Sequence, residues 1–127
     1  MQDKELAALG DTYVNFIYSL AKSKTVGRPQ GENVWGKVLA EALRTSGLRT
    51  YLIPKRLSAH DLSNAAEAIL VYSWLHNLNS LDEAVSILSA HINIENLSTR
   101  EREREEAAKA FTHLLIFIKE RLKTNNS

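Results

Sequence analysis

The chain has 127 residues with 16 Lys and Arg against 15 Asp and Glu, a formal net charge of +1, and no cysteine. That length fits a single domain over residues 1–127 whose core needs no covalent staple. Disulfides, thiolate zinc centres and cysteine nucleophiles are excluded. Overall neutrality argues against a purely electrostatic nucleic-acid binder.

The elements, in chain order, read almost entirely as helix. The first spans about Lys4 to Lys22. Leu6, Leu9, Tyr13, Phe16, Ile17 and Leu20 form its apolar stripe, and Lys4, Asp11, Asn15, Tyr18 and Lys22 its opposite face. A basic Gly/Pro loop, Thr25 to Gly31, leads to a second helix from about Glu32 to Ser46, with Gly47 as its terminating glycine. Thr50 to Pro54 reads as extended, because proline disfavours helix at the residue before it. A third helix runs from a Ser58 cap, supported by Asp61, to about Leu75 and is apolar nearly all round, as expected of a central element. Ser80 with Glu83 opens a fourth helix through a capping box, Asn93 to Asn96 is a break, and Ser98 with Glu101 opens a last helix reaching about Lys123. No apolar run approaches the roughly 20 residues of a membrane span, and no secretory leader opens the chain. The expectation is a soluble, cytoplasmic protein with no membrane partner.

Two acids conflict with this pattern. Asp11 and Glu67 each stand alone within an apolar, helix-patterned run. A buried carboxylate is costly unless it is paired, hydrogen-bonded or bound to a metal. Two of them far apart in sequence suggest a divalent cation held between two helices. Magnesium suits such a site, because it takes one or two carboxylates and keeps several waters. Asn64, three residues before Glu67, can add a neutral amide oxygen. The bland alternative makes Asp11 a surface acid and pairs Glu67 with an Arg, Lys or Tyr.

Other candidates are weaker. His60 shares a helix stripe with Asn64 and Glu67, which leaves a transition-metal site conceivable. His76, His91 and His113 stand alone in the sequence, and the run from Glu101 to Glu106 reads as a solvated helix face. Cations concentrate between Lys22 and Arg56. Of these, Lys24, Arg28, Lys37, Lys55 and Arg56 suit contacts to a phosphate backbone, the alternative being an ordinary solvated surface.

Leu6-x-x-Leu9-Gly10-Asp11-x-x-Val14 resembles the ribonuclease III signature. Further matches follow in that family's order: Gly47-Leu48-x-x-Tyr51-Leu52, then Glu67-Ala68-Ile69 running to Tyr72-x-x-Leu75, then Leu81-Asp82-Glu83-Ala84. The chain is similar to the catalytic domain alone, as in the Mini-III branch or short archaeal ribonuclease III-like proteins. The resemblance implies an all-α ribonuclease III-like endonuclease domain, a helical bundle working as a homodimer whose two subunits form a valley for A-form RNA. It implies metal-dependent hydrolysis of phosphodiester bonds in double-stranded or structured RNA, with Asp11 and Glu67 catalytic and Mg2+ or Mn2+ as cofactor. It also exposes departures: Lys4 and Ala7 stand where ribonuclease III proper carries two further glutamates, and Asn64 where an aspartate is usual. These support the alternative of a catalytically degenerate dimer that binds RNA or a protein partner without cutting.

Overall fold

The computed structural model describes residues 3–48, 50 and 57–125, and among them every regular element is helical. The elements are α1 (Asp3–Val26), α2 (Gly36–Ser46), α3 (Ala59–Leu75), α4 (Leu81–Ala90), a single 3-10 turn (Ile94–Asn96) and α5 (Arg100–Asn125). Helix α3 packs against α1 and α2, α5 against α2 and α4, and α4 also against α1. The core they enclose includes Val14, Ile17, Leu39, Leu43, Leu70 and Phe111.

The caps follow the sequence closely. Ser58 caps α3 by accepting from the Asp61 amide at 3.2 Å. Ser80 and Glu83 form the reciprocal capping box of α4. Gly47 ends α2 at φ +78°, a left-handed conformation that favours glycine. The last helix begins one residue later than the Ser98 box suggests: Thr99 supplies the cap, accepting from the Arg102 amide at 3.1 Å.

Helix α1 departs from expectation in its orientation. Leu9 and Phe16, on the expected core stripe, are 47% and 52% exposed, while Tyr18 and Lys22, on the expected polar face, are buried. The core-facing side instead carries Ala7, Val14, Ile17, Tyr18 and Ala21. Burial of Lys22 is possible because two acids meet it. Its ammonium pairs with Glu32 and lies 2.9 Å from Glu103 Oε2. The Tyr18 hydroxyl donates to the same Glu103 at 2.8 Å. Burial alone would pull the Lys22 pKa down, but the hydrogen bonds and charges of Glu32 and Glu103 raise it on balance. Lys22 therefore ties α1 to α5 and to the 27–35 loop and leaves the basic surface.

The same loop shortens α2, which starts at Gly36 instead of Glu32. Side chains of α1 satisfy the loop's backbone: Asn15 accepts from the Val34 amide at 2.7 Å, Ser19 from Glu32 at 2.8 Å, and Ser23 from Gln30 at 2.9 Å. With those amides occupied, residues 30–34 have no need of helical partners. Leu48 and Thr50 are helical, against the extended reading at Thr50. Residues 51–56, which include Tyr51, Leu52, Pro54, Lys55 and Arg56, lie outside the described residues.

The acidic run of α5 is only in part a solvated face. Glu103 belongs to the Lys22 cluster, and Glu106 is 4% exposed. Glu106 accepts from the Asn93 amide at 2.8 Å and from Asn96 Nδ2 at 3.1 Å, joining α5 to the 3-10 turn. Burial would raise its pKa, but these hydrogen bonds and Lys109 lower it on balance. A carboxylate with a depressed pKa contributes stability above its unfolded pKa and loses it as pH falls through the folded value. Glu106→Ala should therefore cost about 2 kcal/mol near pH 7, the range for charge-assisted hydrogen bonds. The deficit should shrink below about pH 4. Urea denaturation of both proteins at the two pH values checks this.

The histidines do not stand alone. His91 and His113 stack at 3.7 Å between ring centroids, and His76 stacks on Tyr72 at 3.9 Å. All three remain exposed.

Candidate active site

The site lies where α1 crosses α3, and a glycine permits the crossing. A Cβ built on Gly10 would lie 2.5 Å from the Glu67 carbonyl carbon and 3.0 Å from the Glu67 Cβ, and closer still to the Glu67 carbonyl oxygen. The two backbones thus touch at Gly10 and Glu67. Asp11 follows Gly10 directly, so the contact that seats the helices also brings the two acids together. A second glycine works alongside: a Cβ at Gly36 would lie 3.0 Å from Ser63 Oγ, about one turn earlier on α3. Helix α3 is held closely on both sides next to the site.

Asp11, Asn64 and Glu67 line one open cleft of about 1030 Å³, together with Lys4, His60 and Asp61. Glu67 is 8% exposed, whereas Asp11 is exposed, which corrects the expectation of two buried acids. Among the described residues no Arg, Lys or Tyr forms an ion pair or hydrogen bond with Glu67; its interacting partner is Asp11. The Glu67 pKa is raised from 4.5 to about 7, first by burial and then by the hydrogen bond and charge of Asp11. The Asp11 charge thus disfavours ionisation of Glu67 when no cation separates them.

Asp11, Glu67 and the Asn64 amide oxygen could hold a hard divalent cation. No group of three His, Cys, Asp or Glu suited to a metal occurs among the described residues, which disfavours a closed zinc-type site. Two carboxylates and an amide oxygen match the sparse protein shell of magnesium or manganese, whose remaining positions stay with water. His60 lines the cleft with its Nε2 3.3 Å from Asn64 Nδ2, and among the described residues it belongs to no group of three His, Cys, Asp or Glu suited to a transition metal.

The expected RNA contacts distribute unevenly. Lys24, Arg28 and Lys37 are exposed. Lys24 sits 13 residues after Asp11 on α1, about 20 Å along the helix axis. Lys37 lies 5.1 Å above the Trp35 ring, and Arg104 stacks on that ring at 3.9 Å. The Trp35–Arg104 pair, beside the start of α2, had no signal in the sequence. Gly10 did have one: a glycine inside a helix costs about 1 kcal/mol against alanine and so marks a close backbone approach.

The fold and the site thus describe an all-α domain with a carboxylate pair set at a glycine-permitted helix crossing. The chain belongs to the ribonuclease III family: the family model described as Ribonuclease III matches residues 4–124. At the family level this supports an endoribonuclease acting on double-stranded RNA. No curated protein matches the chain. Among the described residues no helix is long and apolar enough to cross a membrane.

Proposed function

We propose that the chain is a cytoplasmic, divalent-metal-dependent endoribonuclease that hydrolyses phosphodiester bonds in double-stranded or structured RNA, with Asp11 and Glu67 as its catalytic acids. The observation that carries this reading is the Asp11–Glu67 pair, held at the Gly10 crossing in a chain of the ribonuclease III family. Asp11, Glu67 and the Asn64 amide oxygen would hold Mg2+ or Mn2+. When bound, such an ion supplies Lewis acidity and an activated water at neutral pH.

The chain's own residues supply the rest. Asp11 and Glu67 bring two negative charges that a divalent ion neutralises, so the site is electrostatically satisfied only when loaded. Glu67, buried on α3, fixes the position, and exposed Asp11 leaves the cleft open toward substrate. Lys4 lines the same cleft and offers its ammonium to a phosphate oxygen. Lys24, Arg28 and Lys37 are assigned to the RNA backbone, as are Lys55 and Arg56. An A-form duplex is recognised through shape and phosphates and needs no base-reading module.

The active form is a homodimer. Leu9 and Phe16 lie exposed on one side of α1 with Tyr13 between them. Tyr13 stacks on the exposed Trp74 of α3, with ring centroids 5.5 Å apart. This apolar band suits a second copy, which would set two sites along one duplex.

Cleavage of an end-labelled RNA duplex with Mg2+ or Mn2+ tests the activity. Wild type should give products, and Glu67→Gln at equal concentration should give none; equal cutting by both would overturn the site. Replacing Lys24, Arg28 and Lys37 together by alanine should weaken duplex binding and reduce the log–log salt slope by about 2–3. An unchanged slope would remove these residues from the interface. The second reading, a degenerate dimer that binds without cutting, is favoured by Ala7 and Asn64 standing where the family carries acids. It predicts a protein that binds the duplex but takes up no Mn2+ and yields no products.

A further inference from the structure

Resting on the proposed metal site, we propose that His60 is a positioning residue that orients the Asn64 amide so that its oxygen serves the cation. Asn64 has the only neutral side chain in the proposed ligand set, and an amide can face an ion correctly or wrongly. With Oδ1 forward it contributes a lone pair; with Nδ2 forward it opposes the ion with donor hydrogens. A carboxylate has no such choice. The structure holds a device that makes the choice.

His60 and Asn64 are four residues apart near the start of α3, so their side chains share one face. The His60 Nε2 lies 3.3 Å from Asn64 Nδ2. Two N–H groups cannot bond to each other, so this contact is a hydrogen bond only when Nε2 accepts and the neutral imidazole carries its hydrogen on Nδ1. In that arrangement the Asn64 N–H donates to His60 and Oδ1 is left for the cation, in a residue that lines the same cleft as Asp11 and Glu67. The Ser58 cap fixes the first turn of α3 and hence the place of His60. His60 thus acts one bond away from the ion and does not ligate it. Groups that orient a ligand in this way commonly change metal affinity by about 10- to 100-fold.

The experiment is Mn2+ titration of the purified protein without RNA, read by the loss of the free-ion electron paramagnetic resonance signal. Wild type should bind, and Asp11→Asn should abolish binding. His60→Ala should weaken binding about 10-fold. His60→Gln, whose Oε1 can accept the same hydrogen bond, should bind like wild type. In an Asn64→Asp background, where no amide needs orienting, His60→Ala should change affinity less than about 2-fold.

If His60→Ala binds like wild type, or costs as much in the Asn64→Asp background as alone, the positioning role is overturned. Failure of His60→Gln to restore affinity overturns it as well. If wild type itself binds no Mn2+, or Asp11→Asn binds undiminished, the metal-site reading fails first and this inference falls with it. Thermal melting of each variant without metal separates a folding defect from a loss of affinity.

Discussion

Without added metal at pH 8, Glu67→Gln should unfold at a higher temperature than wild type while losing nuclease activity by at least about 1000-fold. The stability gain follows from linkage. Glu67 has a raised folded-state pKa of about 7, against an ordinary value of 4.5. Between these values the folded state binds more protons than the unfolded state, so stability falls as pH rises. Below about pH 4.5 both states are protonated and the penalty is absent; above about pH 7 it is fully expressed. The shift corresponds to roughly 3 kcal/mol, and solvent in the open cleft reduces this to about 1–2 kcal/mol. For a chain of this length, that is several degrees of melting temperature. Glutamine keeps the shape and removes the charge, so its advantage should vanish below about pH 4.5.

Saturating Mn2+ should reverse the order. An ion that binds only the folded state stabilises wild type by mass action, and the variant has lost one of its two charged ligands. Differential scanning fluorimetry from pH 4 to pH 9, with and without the ion, reads all of this at once. If wild type is the more stable protein at pH 8 without metal, the two acids are not in conflict and the site geometry is wrong. The trade is the one expected of a functional site, where stability is given up locally so that a ligand can restore it.

How much of this was legible in the sequence depends on whether the signal was local. Helix starts were legible where a capping residue sat before a periodic run, as at Ser58 and Ser80. The start of α2 was not, because Asn15, Ser19 and Ser23 hold the preceding loop from a different helix. The buried face of α1 is hidden from the sequence for a related reason. Hydrophobic periodicity places Lys22 outside, and only the distant Glu103 and nearby Glu32 make its burial tolerable. Leu9 and Phe16 fall on the apolar stripe of the sequence, and a pattern of apolar residues cannot say whether a face meets the rest of the chain or stays exposed. Asp11 and Glu67 are legible as anomalies, with Asn64 as a neighbour of Glu67 on its helix, but the meeting of the three in one cleft comes from the family resemblance. The structure adds the cause of that meeting, and it rests on Gly10.

Gly10→Ala is accordingly expected to be among the most damaging single-methyl changes in the chain. In an ordinary exposed helix the same substitution would stabilise by about 1 kcal/mol. Here the added Cβ would fall 2.5 Å from the Glu67 carbonyl carbon, with the carbonyl oxygen nearer still. The obstacle is backbone, so no side chain can rotate out of the way, and α1 must part from α3. Overpacking of this kind costs about 1–3 kcal/mol where neighbours can shift, and more where they cannot. The displacement also separates Asp11 from Glu67, and a misplacement of about 1 Å can cost a reaction roughly 100-fold. We therefore expect a loss of several degrees in melting temperature, a weakened response to Mn2+ and near-complete loss of duplex cleavage. Gly31→Ala is the matched control, since a Cβ there meets no atom within 4 Å beyond its chain neighbours among the described residues, and it should leave all three unchanged. If Gly10→Ala melted at or above the wild-type temperature and still took up Mn2+, the crossing would not depend on the glycine, and the pairing of Asp11 with Glu67 would need another cause.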